Sequence, residues 1–335
     1  MINMRQWVQD VINSPVRITI PIMTNPGIEV SGYTVEKAVK NGRVHFDAIY
    51  KLNEKYPIAA ACTSIMDLTV EAEAFGSQIS FSENEVPNVI GRLISDYEGV
   101  EALKVPSLQT GRVPEYLKAN KLAADYITNK PVFAGCIGPF SLAGRLYDMS
   151  NMMIALYTEP ETIQLLLEKC TRFITEYIHA IKETGVNGVI IAEPAAGLVS
   201  NEDCSQYSSL YIRKIVEGIQ DENFMIVLHN CGNTGHCTAA MVETRSAGLH
   251  FGNKIDMAQA LKECPTDILV MGNIDPVGVL QQETPEKIKQ ETLELLHLTA
   301  GSKNFVLSTG CDVPPLIPVE NIEAYYNALD EFNRK

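Results

Sequence analysis

The chain has 335 residues, of which 46% are hydrophobic, 7% aromatic and 20% charged. That is an ordinary globular composition, and it excludes a disordered or fibrous polymer. Twenty-seven basic against 41 acidic residues leave a formal charge of −14, so self-repulsion argues against nucleic acid or an anionic membrane surface as a partner.

No stretch approaches the roughly 18 consecutive apolar residues of a membrane span. The start, MINMRQW, has charge and polarity where a signal peptide needs an apolar core. Eight cysteines scattered through a long chain read as reduced thiols rather than a disulfide framework. A soluble cytoplasmic protein is expected.

In chain order, short β-branched runs alternate with longer amphipathic segments. The runs are 16–20, 58–62, 132–136, 188–192, 225–229, 247–250 (the weakest), 268–271 and 305–308. Each is short and apolar enough to be buried on both faces, as parallel strands are. Between the first two, 34–41 and 44–55 predict helices beyond a minimal plan. The segment 161–183 carries Ile163, Leu166, Leu167, Cys170, Phe173, Ile174, Tyr177, Ile178 and Ile181 at helical steps, with Pro160 before it and Gly185 after it. A helix is expected over 234–245. Thr284 and Pro285 start another as N-cap and first residue, Gly301 ends it, and 318–332 is the last. Eight strand–helix units predict an α/β fold, a (β/α)8 TIM barrel with extra N-terminal helices. A doubly wound open sheet is the alternative, but no Gly-x-Gly-x-x-Gly follows a strand and no phosphate loop is present.

Chemistry in such barrels collects at the carboxyl ends of the strands. Those positions hold Asp67 after the second strand, Glu193 after the fourth and His229 with Cys231 at the fifth. Asn273 and Asp275 follow the seventh, and Cys311 the eighth. In extended backbone residues i and i+2 point to the same side, so His229 and Cys231 can share one ion. One imidazole and two thiolates suit a tetrahedral Zn²⁺ with a fourth position open, as in catalytic zinc sites. The same residues also read as a satisfied core histidine and a small buried thiol. His236 and Cys237 form a rival pair inside the expected 234–245 helix. Cys62, Cys136, Cys170, Cys204 and Cys264 read as packing residues, and His45, His179 and His297 as surface or interface groups. Asp67 is either the N-cap of the next helix or a carboxylate facing the pocket, while Glu71 and Glu73 favour that helix's first turn.

Six motifs together resemble the uroporphyrinogen decarboxylase superfamily, in its branch of cobalamin-dependent methyltransferases: MDLTVEAEAFG (66–76), GPFSLA (138–143), IAEPAA (191–196), HNCGNT (229–234), GNIDPV (272–277) and STGCDVPP (308–315). The resemblance runs over nearly the whole chain and implies a single TIM-barrel domain spanning 1–335. By it, His229, Cys231 and Cys311 match the His-x-Cys and later Cys that hold zinc in methylcobamide:coenzyme M methyltransferases. Decarboxylases of the superfamily differ: they carry an arginine-rich motif where this chain has Met23-Thr24-Asn25-Pro26-Gly27, and Gly-His-Gly where it has Thr309-Gly310-Cys311. The residues 250–253 stand where an acidic residue is common, and Glu193-Pro194 where Asp-Pro is common.

The resemblance implies methyl transfer from a methylated corrinoid to a thiol such as coenzyme M. No Asp-x-His-x-x-Gly corrinoid motif is present, so a separate corrinoid protein is the expected partner. Glu193 is a candidate displaceable fourth ligand or thiol base. Arg145 and Lys254 are candidates for the cation that a sulfonate needs, with Asn273 and Asp275 as further substrate contacts. A carboxy-lyase in which Asp67 stabilises developing positive charge, and a non-catalytic corrinoid-handling protein, are the competing functions.

Overall fold

A computed structural model describes residues 2–334. The described strands are β1 (Cys62–Thr63), β2 (Gln78–Ser80), β3 (Asn88–Ile90), β4 (Val132–Ile137), β5 (Gly188–Ala192), β6 (Met225–Asn230), β7 (Gly248–Phe251), β8 (Leu269–Ile274) and β9 (Phe305–Thr309). Seven of them form one parallel sheet in the order β1-β4-β5-β6-β7-β8-β9. β4 to β7 and β9 are buried at every residue, which is why they read as unbroken apolar runs.

The eighth stave of the barrel is weaker than its sequence suggests. Residues 16–20 give a single bridge, Thr19 to Leu307. Around it Ile20 N donates to the Leu307 carbonyl, Leu307 N to Ile18, and Ala60 N to Thr19, at 2.9–3.2 Å, so this segment still closes the ring between β9 and the stretch before β1. Pro15, Pro21 and Pro57 lack the N–H a longer ladder requires. β1 is likewise only two residues long, and 58–61 form turns rather than the expected strand. An antiparallel pair, β2 and β3, was not expected from the pattern. Neither strand is buried.

Helices clothe the ring. Pro160–Glu183 buries Ile163, Leu166, Leu167, Cys170, Phe173, Ile174, Tyr177, Ile178 and Ile181 on one face, each worth roughly 1.5–3 kcal/mol where an apolar side chain is fully buried. The extra helices predicted after the first stave lie at Val35–Lys40 and Gly42–Lys55, preceded by Asn25–Val30. Met4–Asn13 is capped by Asn3, which accepts from Gln6 N at 2.8 Å. Its Met4 and Val8 pack with Phe133, Met225 and Leu269 and fill the amino end of the barrel.

Two helix ends move. The helix after Pro285 stops at Leu298, with Gly301 in the turn beyond. The helix expected over 234–245 is confined to Thr238–Glu243, because Asn233 Oδ1 accepts from the amides of Gly235 and Cys237 and folds the chain into turns first. No helix of the described residues is long and apolar enough to cross a membrane.

Candidate metal centre

Parity along the strands builds the site. In β6, Met225 and Val227 belong to the barrel interior, while Ile226 and Leu228 face the surrounding helices. His229 therefore points inward at the carboxyl end. Cys231 follows two residues later, and Cys311 leaves β9 beside it. The ligand atoms of His229, Cys231 and Cys311 lie within 4.8 Å of one another, with the imidazole buried and both thiols half-buried. Zn–S bonds of about 2.3 Å and Zn–N bonds of about 2.0 Å give ligand separations of roughly 3.5–3.8 Å in a tetrahedron. Small side-chain rotations close the gap. His229 Nε2 is a buried nitrogen with no hydrogen-bond partner, and such orphans are rare in folded proteins. The donor set thus fits a borderline-soft divalent ion.

The two thiols are electrostatically unequal. A hydrogen bond from Cys311, helped by the charge of Lys254, pulls Cys231 below an ordinary thiol even though burial opposes it. The same bond, with burial, pushes Cys311 up, against the opposing pull of the His229 imidazole. Cys231 is held from behind by the loop after β7: a Cβ on Gly252 would stand 2.7 Å from Cys231 Cα, so only glycine permits this approach. Asp312 anchors the other side, accepting from Thr24 N at 3.2 Å and Thr24 Oγ1 at 2.9 Å.

The remaining candidates are distributed differently. Glu193 is buried, but its carboxylate accepts from the amides of Phe140 and Ser141 at 2.9 Å and from Ser141 Oγ at 2.8 Å. It thereby satisfies the amino end of Pro139–Tyr147, and it is not among the clustered ligand atoms. Burial nonetheless raises it to about 7. Asp67 caps no helix: Thr69 is the N-cap of Val70–Phe75. Instead, Asp67 Oδ1 accepts from Thr69 N and Oγ1 at 2.9 and 2.7 Å, and Oδ2 binds Arg112 Nη1 and the Tyr116 hydroxyl. Its neighbour Glu73 takes Arg112 Nε at 2.6 Å.

Asn273 Nδ2 donates to the carbonyls of Gly252 and Ile255 at 2.9 Å, and Asp275 accepts from Val277 N, Gly278 N and Asn253. Both shape loops at the mouth. Lys254 is exposed. Arg145 is half-buried on Pro139–Tyr147 and lines a cleft with Val89, Asp148 and Leu198. No ion pair or hydrogen bond engages its guanidinium among the described residues.

The rival pair separates. His236 is exposed and bonded to the Val199 carbonyl, while Cys237 is buried against the Ala196 and Val199 carbonyls. Cys62, Cys136, Cys170, Cys204 and Cys264 are all buried and free. His179 and His297 are exposed, but His45 is not a surface group. It is buried, accepts from Ile65 N at 2.9 Å, and is lowered to about 3 by burial. Sequence reasoning also missed His250, which shares a register position with His229 and stands 2.7 Å from it, Nδ1 to Nδ1.

The fold defines a class, the TIM-barrel enzymes with their chemistry at the carboxyl mouth, and comparison with known proteins gives the family. The model of the uroporphyrinogen decarboxylase (URO-D) family matches residues 12–332, and the chain belongs to that family. Among curated relatives, a methylcobamide:CoM methyltransferase of Methanosarcina acetivorans is 32% identical over 77% of this chain and 75% of its own. A uroporphyrinogen decarboxylase of Legionella pneumophila is 24% identical over 88% and 84%. Among solved structures, a methyltransferase from Methanosarcina mazei superposes with a TM-score of 0.86 at 26% identity, covering 98% of both chains. The chain is accordingly an enzyme of the one-carbon transferase class.

Proposed function

We propose that this enzyme moves a methyl group from a methylated corrinoid, carried by a separate protein, to a thiol such as coenzyme M. The observation that carries the reading is the trio His229, Cys231 and Cys311, in which the buried His229 Nε2 lacks a well-formed hydrogen bond. These three would hold Zn²⁺. The ion would supply Lewis acidity, keeping an incoming thiol deprotonated at neutral pH, where a free thiol near pKa 8.5 is mostly protonated.

The chain's own residues do the rest. The inward parity of β6 aims the imidazole at the mouth, and the Gly252 contact and the Thr24–Asp312 clamp hold the two cysteines in place. Orientation of this kind can contribute several kcal/mol to a bimolecular transfer. Arg145, unpaired beside a cleft, is the better cation for an acceptor's sulfonate. Lys254 is exposed and better suited to biasing Cys231. Leu198, Val277 and Leu316 are 65%, 44% and 74% exposed on the segments following β5, β8 and β9. They offer an apolar rim on which a corrinoid protein can seat itself.

The decarboxylase alternative loses support at Asp67. Its carboxylate is neutralised by Arg112 and fully hydrogen-bonded, so it is not free to stabilise a developing positive charge. Zinc content of purified protein, followed by methylcobalamin demethylation against a panel of thiols, tests the proposal. Near-stoichiometric zinc and thiol-dependent demethylation are expected. Zinc-free, inactive wild type sinks it.

A further inference from the structure

The environment of His229 says more than that it can bind a metal. Its Nδ1 lies 2.7 Å from His250 Nδ1, His250 Nε2 lies 2.8 Å from Ser308 Oγ, and Ser308 Oγ lies 2.7 Å from the Ile20 carbonyl. All the side chains in this chain are buried, so each contact must pair one donor with one acceptor.

The far end decides every other link. A carbonyl has no proton, so Ser308 Oγ–H donates to Ile20. The Ser308 oxygen then accepts from His250 Nε2–H. A neutral His250 protonated there has a bare Nδ1, which accepts from His229 Nδ1–H. His229 Nε2 is left without a proton.

We propose that His250 and Ser308 act as positioning residues that lock His229 in the Nδ1–H tautomer, presenting the Nε2 lone pair to the Cys231–Cys311 pair. The inference rests on the zinc reading only for the identity of what Nε2 meets. A ligating histidine ordinarily donates its other N–H to a carboxylate, a carbonyl or water. Here the acceptor is a neutral imidazole. It orients the ring while adding no negative charge beneath a donor set that already contains two thiols. The chain also ties the metal ligand on β6 to the weak eighth stave, because its terminal acceptor belongs to the segment that closes the barrel.

The test is made on the full-length protein. Metal-free wild type, labelled with ¹⁵N at histidine, is examined by two-bond proton–nitrogen correlation, with His229→Asn used to assign the ring. His229 is expected to show the Nδ1–H pattern and His250 the Nε2–H pattern. A His229 ring protonated at Nε2 overturns the proposal.

Zinc affinity, measured by chelator competition, should fall about 10- to 100-fold in His250→Leu. It should largely recover in His250→Asn, whose Oδ1 takes the place of Nδ1 as acceptor. A folded His250→Leu that binds zinc like wild type overturns the proposal. If that variant does not fold, Ser308→Ala carries the test: it leaves His250 in place, and His229 should then show a mixture of tautomers. Wild type with the Nδ1–H tautomer but no zinc uptake would defeat the metal reading and leave the hydrogen-bond chain standing.

Discussion

Two clusters of reactive side chains sit near the barrel mouth, and they are opposites in how their valences are filled. Around Asp67, the carboxylate and the guanidinium that faces it are both partnered. The carboxylate accepts four hydrogen bonds from Thr69, Arg112 and Tyr116, and Arg112 also holds Glu73 and Thr69 Oγ1. Around His229, by contrast, a buried nitrogen lacks a well-formed hydrogen bond, and the two half-buried thiols interact with each other and with the imidazole. Both clusters look catalytic in a list of residues. The difference is that one is complete as folded and the other has ligand atoms left to offer. Satisfied networks rigidify a wall, whereas a bare lone pair beside two thiols leaves room for a ligand.

The sharpest way to break this contrast is Cys311→Ala. Removing one of three ligands should abolish stoichiometric zinc while leaving the fold intact, since Cys311 is half-buried and outside the hydrophobic core. Metal analysis and a melting curve on the same sample check it. Retained zinc would show that the open valences at the mouth are not a metal site.

Arg112→Ala is the converse. The guanidinium is 7% exposed and its partner carboxylate on Asp67 0%. Truncation strands a buried charge and should cost about 3–5 kcal/mol. Zinc per folded molecule should be unchanged. A stable Arg112→Ala with lost zinc would reverse the roles of the two clusters.

Glu193→Ala is smaller. The carboxylate works as a helix cap, and losing such a cap typically costs about 1–2 kcal/mol. Denaturant unfolding reads the loss, and metal content should not follow it. Zinc lost along with stability would return Glu193 to the role of a ligand.

The contrast was only half legible in the sequence. β4 to β9 could be read because parallel strands buried on both faces leave continuous apolar runs, and His229, Cys231 and Cys311 follow directly from their ends. The closing stave was legible at 16–20 as an apolar run but not in its extent, because Pro15 and Pro21 limit it to one bridge. The hairpin of β2 and β3 has only three residues per strand and none is buried, so it is too short to set up an alternating pattern. Arg112 lies 45 residues from Asp67, and nothing local links the two. His250 was within reach: Leu249 and Phe251 face the helices, which turns His250 inward by the same parity that turns His229.

A pH-dependent effect lies between the two clusters, at Glu71. It is 1% exposed. Its Oε1 accepts from Ile137 N at 3.1 Å, and its Oε2 has no partner. Burial raises it from 4.5 to about 8. Asp67 pushes the same way, while the Ile137 amide and Arg112 oppose. Below about pH 4.5 the group is protonated in both folded and unfolded chains and contributes no slope. Between about 4.5 and 8 the folded state keeps a proton that the unfolded state has lost, so stability falls as pH rises. Above about 8 both states are ionised and the penalty is fully present. Glu71→Gln keeps the acceptor for Ile137 and removes the titration. Its melting temperature relative to wild type should therefore rise from pH 5 to pH 8, by a few degrees at most. Glu193 and Asp312, raised to about 7 and about 6, titrate in the same window in both proteins and cancel in the difference. A difference that stays flat across this window would mean that Oε2 has a partner after all, and that Glu71 belongs with the satisfied wall rather than with the open mouth.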